Sequence, residues 1–387
     1  MEKPKILWVS DLVAPTGFAR VSHSILENLK DDFDVVGLGV NYRGDPHPYP
    51  YPIYPAGVGG KIFGEDRLAT ILNNTKFDIL YILNDAWIVS NYLDFIKRNV
   101  TMPLPKIVVY FPVDSMYHDP AWYSNFHMVD KAITYTEFGK FEVLRVAPTV
   151  SVDVIPHGVN QNVFYKKFTN RKDAKRTLIG SNKNPDSFLF LSANRNQPRK
   201  KLDITMEGFR IFAEGKTDVL LHMHCGVRDA ALDIPRLSVR LGIDDKLVLT
   251  NLNTGIQQVP DAALNDIYNA ADVGLNTSLG EGWGLTSIEH AMTGAPQIVP
   301  DHSACREIFS DCGLLVPTVM DSMFDNSMTV GRLITPEALA DQMNRVYSDG
   351  DLYKSLSDKS IAKFSGEKYS WKYISNQWKE LFLEVIK

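Results

Sequence analysis

Twelve short apolar runs, six in each half of the chain, restrict the fold more than any other feature of this sequence. The first six are KILWVS (5–10), FDVVGLGV (33–40), FDILYIL (77–83), KIVVYF (106–111), KAITY (131–135) and VSVDVIP (150–156). The second six are SFLFLSA (187–193), DVLLHMH (218–224), KLVLTNL (246–252), ADVGLNT (271–277), APQIVP (295–300) and CGLLVP (312–317). Most are continuous rather than alternating, the pattern of parallel strands buried on both faces. Helix-like stretches lie between them, among them ARVSHSILENLK (19–30), LDITMEGFRIFAEG (202–215) and ALNDIYNAA (263–271). Strand and helix in alternation imply doubly wound α/β units. A chain of 387 residues exceeds the roughly 250–300 that one core supports, so two such domains are expected.

The boundary is expected within IPHGVNQNVF (155–164), where Pro and Gly follow a buried strand and precede the charged stretch KKFTNRKDAKRTLIG (166–180). That gives domains at 1–160 and 161–369. The last segment, 370–387, has helical apolar spacing and could pack on either domain. RGDPHPYPYPIYPAGVGG (43–60) is dense in Pro and Gly and reads as a loop, either a lid or acceptor loop or a crossover insertion.

Charge narrows the function classes. Forty-one basic against 46 acidic side chains leave −5, which gives no general attraction to nucleic acid or anionic lipid. Three scattered cysteines (Cys225, Cys305, Cys312) make no disulfide framework and fit a reducing compartment. No run approaches the ~20 apolar residues that span a bilayer, and the N-terminus lacks a signal core. A soluble, cytoplasmic protein is expected.

The most informative segment is SLGEGWGLTSIEHAMTGAPQIVP (278–300). A glycine-rich turn follows a strand and opens a helix at about Leu285. Gly282 and Gly284 let the backbone approach a ligand, and the helix start offers N–H groups to an anion. Glu281 and Glu289, eight apart across the bend, can face one bound molecule. A nucleotide sugar supplies phosphates for the N–H groups and hydroxyls for the carboxylates. The segment resembles the Glu-x7-Glu signature of retaining glycosyltransferases of family 4, EGFGLxxxEAMAxGxPV, with Trp283 for Phe and His290 for Ala. The resemblance extends through NAADVGLNTS before it and REIFSDCGLLVP after it.

Four weaker matches accompany it. ANRNQPRKKLD (193–203) resembles GRxxxxKG and places Arg195 and Lys200 five apart after the second domain's first strand. Two cations there suit a diphosphate whose charge rises as the glycosidic bond breaks. Lys201 stands where the family has glycine, and Arg199 adds another cation, so either Lys200 or Lys201 could reach the phosphate. IPHGVNQNVF resembles the linker IPNGVDxxxF, with His157 for Asn. APTGFAR (14–20) takes the place of a glycine-rich phosphate loop with Gly17 its only glycine; Arg20 either touches phosphate or caps a helix. In VVYFPVDSMYHDP (108–120), aligning Asp114 with the family's His-Asp pair leaves Val113 at the histidine. Either Asp114 contacts the sugar in a variant geometry or His118 moves in.

The resemblance implies the GT-B architecture: two Rossmann-like domains facing across a cleft, the first for acceptor and the second for donor. It implies transfer of a sugar from a nucleotide diphosphate-sugar, UDP or GDP, to a glycan, protein, lipid or small-molecule acceptor. Configuration would be retained, with no metal and no cofactor. Arg195, Lys200, Glu281 and Asp114 would be catalytic. Gly17, Lys201, Gly282, Trp283, Gly284, Leu285, Thr286 and Glu289 would hold the donor. Two alternatives remain: a virus-type DNA-modifying glycosyltransferase, supported by the six cations of KKFTNRKDAKR (166–176), and a GT-B epimerase. That cluster otherwise reads as a solvated helix face. Asp32-Phe33-Asp34 and Asp349-Gly350-Asp351 read as solvated turns rather than metal sites, and His222 with His224 as a polar strand end.

Overall fold

The computed structural model describes residues 2–59, 61–178, 183–255, 258–324 and 327–387. The chain forms two compact units, Met1–Gly158 with Lys368–Lys387, and Val159–Glu367.

The first unit is built on seven parallel strands: β1 (Lys5–Asp11), β2 (Asp34–Val40), β3 (Ile53–Pro55), β4 (Ile79–Leu83), β5 (Lys106–Phe111), β6 (Lys131–Thr134) and β7 (Val152–Val154). Their order is β3-β2-β1-β4-β5-β6-β7. All six runs of the first half become strands, and Leu7, Val9, Leu80, Ile82 and Val109 lie in the core. The segment 43–60 departs from the expectation of a loop, because it contains β3. An edge strand tolerates Pro55, since one side of its backbone needs no ladder partner. Ile53 packs onto Gly37 and Gly39 of β2, where a Cβ would come within 3.2 and 3.0 Å of it. Those glycines are the room that β3 needs.

The C-terminal helix Trp371–Val385 belongs to this unit. Trp378 stands edge-on to Tyr81 at 5.3 Å and to Tyr110 at 4.8 Å, and Phe382 to Trp8 at 6.3 Å. Lys379 pairs with Asp32 at 2.6 Å on a partly exposed turn, and Asp34 of the first Asp-x-Asp motif is exposed.

The second unit has six parallel strands: β8 (Phe188–Ser192), β9 (Val219–Met223), β10 (Leu247–Leu249), β11 (Val273–Leu275), β12 (Gln297–Pro300) and β13 (Leu314–Val316). Their order is β10-β9-β8-β11-β12-β13, and they match the six runs of the second half. An antiparallel hairpin, β14 (Thr318–Met323) with β15 (Val330–Ile334), follows and was not anticipated. Arg332 N–H donates to the Leu279 carbonyl at 2.9 Å, so the hairpin braces the segment that leads to Glu281.

The basic cluster 166–176 is largely solvated, with Lys166, Lys167, Lys172 and Arg176 exposed, but Arg171 and Lys175 turn inward. Only Arg171–Leu178 is helical, and Ile179 and Gly180 lie outside the described residues. Lys175 is buried against Asp272 at 2.5 Å. Arg171 donates to the carbonyls of Tyr268, Asn269, Ala271 and Thr293 at 2.8–3.2 Å. Lys167 pairs with Asp266, Lys172 with Asp186 and Arg176 with Asp173. Asp349 caps the helix Gly350–Phe364 by accepting from Leu352 N–H.

Candidate active site

In the second unit the strand order reverses direction between β8 and β11. Loops leaving adjacent strands at such a point diverge and leave a crevice at their carboxyl ends. The loop after β8 carries Arg195, Arg199, Lys200 and Lys201; the loop after β11 carries Glu281–Gly284.

Lys200 and Glu281 meet there. The ammonium donates to Glu281 Oε1, and both side chains are buried. Ser278 Oγ donates to the same oxygen at 2.7 Å and Asn276 Nδ2 at 3.2 Å, while Arg199 lies 3.8 Å from the other. Burial works against ionising Glu281, but Lys200 and Arg199 outweigh it and hold the carboxyl down at about 2. The same burial, with Arg199 alongside, pushes the Lys200 ammonium down. Two further bonds fix the loop: Glu281 N–H donates to Ser303 Oγ at 3.2 Å, and Ala304 N–H to the Glu281 carbonyl at 3.3 Å. Ser303 holds φ +48°, a strained value for a residue with a side chain.

The helix Leu285–Ala291 opens at Leu285, with Gly284 before it at φ +93°. A Cβ on Gly284 would touch nothing within 4 Å, so it is the backbone angle that calls for glycine. Gly282 and Trp283 are buried; Leu285 and Thr286 are half-buried. Glu289 is buried and accepts from Tyr268 Oη at 3.0 Å. His290 stacks on the same tyrosine at 5.3 Å, and burial pushes it down to about 3.

Arg195 is not in this cluster. Its guanidinium binds Asp229 at 2.7 Å and stays exposed. Lys201 takes φ +48°, ψ +48°, a left-handed conformation that glycine adopts without strain. Its side chain and that of Arg199 help line a cavity of about 470 Å³ beside the β14–β15 hairpin.

Within the first unit, two loops carry the residues that the sequence singled out. After β1, the helix Gly17–Leu29 begins at an exposed Gly17. Its cap is Thr16, which accepts from Ala19 N–H at 3.3 Å and donates to Asp11 at 2.7 Å, so Arg20 does not cap this helix. After β5, Val113 is packed in the core and Asp114 is half-buried. His118 is buried, its Nδ1 2.8 Å from Tyr123 Oη and its Nε2 3.3 Å from Ser115 Oγ. Burial drives it down to about 4 against the pull of Asp114. His157 is buried too, 2.8 Å from Tyr110 Oη. His222 and His224 share the Thr250 hydroxyl, at 2.9 and 2.7 Å.

Residues 185–349 match the family model of glycosyl transferases group 1. Mannosylfructose-phosphate synthase of Agrobacterium fabrum is 28% identical over 158 residues, 39% of this chain. The match spans about a third of that relative's length, 33%. Sucrose-phosphate synthase of Thermosynechococcus elongatus superimposes with a TM-score of 0.74 at 16% identity, over 99% of both chains. Anabaena HepE, in complex with UDP and glucose, gives 0.69 at 14% identity, over 98% of this chain and all of the other.

The fold is GT-B.

Within that fold the structure adds side chains that sequence reasoning passed over. Asp229 and Ser303 stand 34 and 22 residues from the groups they hold, and pairings at such range carry no local signal. Asn276 and Ser278 lay in plain view in the quoted stretch NAADVGLNTS, but nothing in the pattern announced them as donors to Glu281.

Proposed function

We propose that this chain is a retaining, metal-independent glycosyltransferase that moves a sugar from a nucleoside diphosphate-sugar to an acceptor. The observation that carries the reading is the buried Lys200–Glu281 pair at the point where the sheet reverses. A buried ion pair is a costly way to hold a fold together. At this position it keeps a cation and a carboxylate ready, in low dielectric, for a ligand that presents both an anion and hydroxyls. Lys200 would neutralise the leaving diphosphate, with Leu285 N–H beside it and Arg195 once it leaves Asp229. Glu281 would hold sugar hydroxyls and Glu289 the ribose. The match to group 1 glycosyl transferases over the second unit supports the donor half. The likeness to a UDP-bound neighbour makes UDP the first base to try. A cytoplasmic setting is part of the proposal; the three cysteines are free thiols, all buried.

The DNA-modifying alternative is weakened, because Arg171 and Lys175 of the six cations at 166–176 are committed inside the second unit, and Lys167, Lys172 and Arg176 are paired with surface carboxylates. The test is a thermal-shift titration with UDP, GDP, ADP and their sugars on the wild type and Lys200→Gln. A ligand at a hundred times its dissociation constant stabilises by about 2.7 kcal/mol. At least one nucleotide should bind, at least roughly tenfold more weakly to the variant, since a bond to a charged group is worth about 1.5–3 kcal/mol. Turnover of that donor should persist in excess chelator. No shift with any nucleotide would end the reading; activity restored only by added manganese would end its metal-independent part.

A further inference from the structure

The loop after β5 carries an aromatic side chain that the fold holds out at a conformational cost. Tyr117 has φ +59°, a left-handed value that is an outlier for a bulky residue. It is also 55% exposed, so core packing does not explain the strain. Two groups, the Glu142 carboxylate and the Arg145 guanidinium, keep it there. Its N–H donates to Glu142 Oε2 at 3.4 Å, and Glu142 is buried. Arg145 donates to the same carboxylate oxygen at 2.5 Å. The Arg145 guanidinium then lies over one face of the Tyr117 ring, 3.9 Å from its centroid. With one face covered and over half of the residue exposed, the other face is open. The Tyr117 hydroxyl has no hydrogen-bond partner among the described residues. Strain of this kind persists where surrounding structure over-determines it, and it collects at ligand clamps.

The geometry points to Tyr117 as a stacking platform for a neutral, hydroxylated sugar ring on the acceptor side of the reaction. The open face takes the C–H side of the ring, and Asp114, three residues before it in the same loop, supplies a carboxylate for hydroxyls. The local charge selects against anionic acceptors. Asp114 and Asp119 flank Tyr117 in the loop and Glu142 lies beneath it, and the nearby cation, Arg145, is already bound to Glu142. A phosphorylated sugar would meet more negative than positive charge here. Only the word acceptor rests on the sugar-transfer reading; the stacking site stands on its own geometry.

The experiment uses the full chain without donor, and saturation-transfer NMR with the methyl glycosides of glucose, galactose and mannose, and with glucose 6-phosphate. The wild type and Tyr117→Phe should transfer saturation to the ring C–H protons of at least one glycoside. Tyr117→Gly, which keeps the left-handed backbone and removes the ring, should bind it about tenfold more weakly. Nucleotide binding, measured separately, should be the same in all three proteins. Absence of glycoside binding in the wild type, equal binding in Tyr117→Gly, or tighter binding of glucose 6-phosphate than of every glycoside would each overturn the proposal. Failure of the sugar-transfer reading shows instead as absent nucleotide binding, with glycoside contacts intact.

Discussion

Two adjacent lysines show how much one residue's surroundings decide. The motif left open whether Lys200 or Lys201 meets phosphate; the structure gives them opposite environments. Lys200 is buried on Glu281, whereas Lys201 sits in a left-handed backbone, at the position that the pattern GRxxxxKG gives to glycine. The lysine is tolerated at that angle, not favoured by it. Lys201→Gly should therefore stabilise the protein by about 0.5–1 kcal/mol, the relief of strain exceeding the entropy glycine returns to the unfolded chain. A higher urea midpoint with an unchanged slope would show this; a lower midpoint would mean that the side chain makes a contact outweighing the strain. If Lys200 is the phosphate ligand, nucleotide affinity stays the same in this variant. The legible part of the candidate site was the Glu-x7-Glu segment and Lys200, whereas Arg195 of the Arg-x4-Lys spacing stands on Asp229 outside the cluster. The mutual arrangement of segment and lysine was not legible, because Lys200 and Glu281 are 81 residues apart and meet only through the β8–β11 pairing.

At the scale of elements, continuous apolar runs located every strand buried on both faces. What they missed was short and exposed. β3 has three residues in a proline-rich stretch, and β14 exposes Val319, Met320 and Met323, so neither carries a buried-strand signature. The basic cluster is largely solvated, as expected, but sequence shows charge and not what each charge faces, and Arg171 and Lys175 turn inward. Arg171 reaches carbonyls at the end of the helix Asp261–Ala270 and just beyond the helix Leu285–Ala291, the one that holds Glu289. Helix ends leave carbonyls without intrahelical partners, and a guanidinium can satisfy several at once. Arg171→Ala should cost about 2–3 kcal/mol in urea denaturation. Arg171→Lys should recover less than half of it, because an ammonium cannot span the same carbonyls. A loss under about 0.5 kcal/mol in the alanine variant would rule out the capping role.

For the molecule as a whole, buried histidines set the acid limit. His118 and His224 are held neutral down to about 4, and His157, His222 and His290 down to about 3, in each case first by burial. Unfolded histidine titrates near 6.5, so below that pH the unfolded chain binds protons that the folded one refuses. Stability is then lost as pH falls from 6.5, at pH 5 by roughly 2 kcal/mol for each fully buried ring. Five such groups rival the roughly 5–15 kcal/mol of a typical fold. Glu281 acts later, its contribution lost between its ordinary 4.5 and about 2. Circular dichroism against pH should show cooperative unfolding near about pH 5; a protein still folded at pH 4 would contradict this account. The return of the helix Trp371–Val385 to the first unit bears on the order in which the protein can be made. The strands of that unit leave the ribosome first, yet the helix that covers Trp8 and Tyr81 follows only after residues 159–367. At roughly 5–20 residues per second those 209 positions take on the order of 10–40 s to synthesise. For that interval the first-made sheet keeps its aromatic face uncovered, while the unit begun later has its whole sequence and can close first.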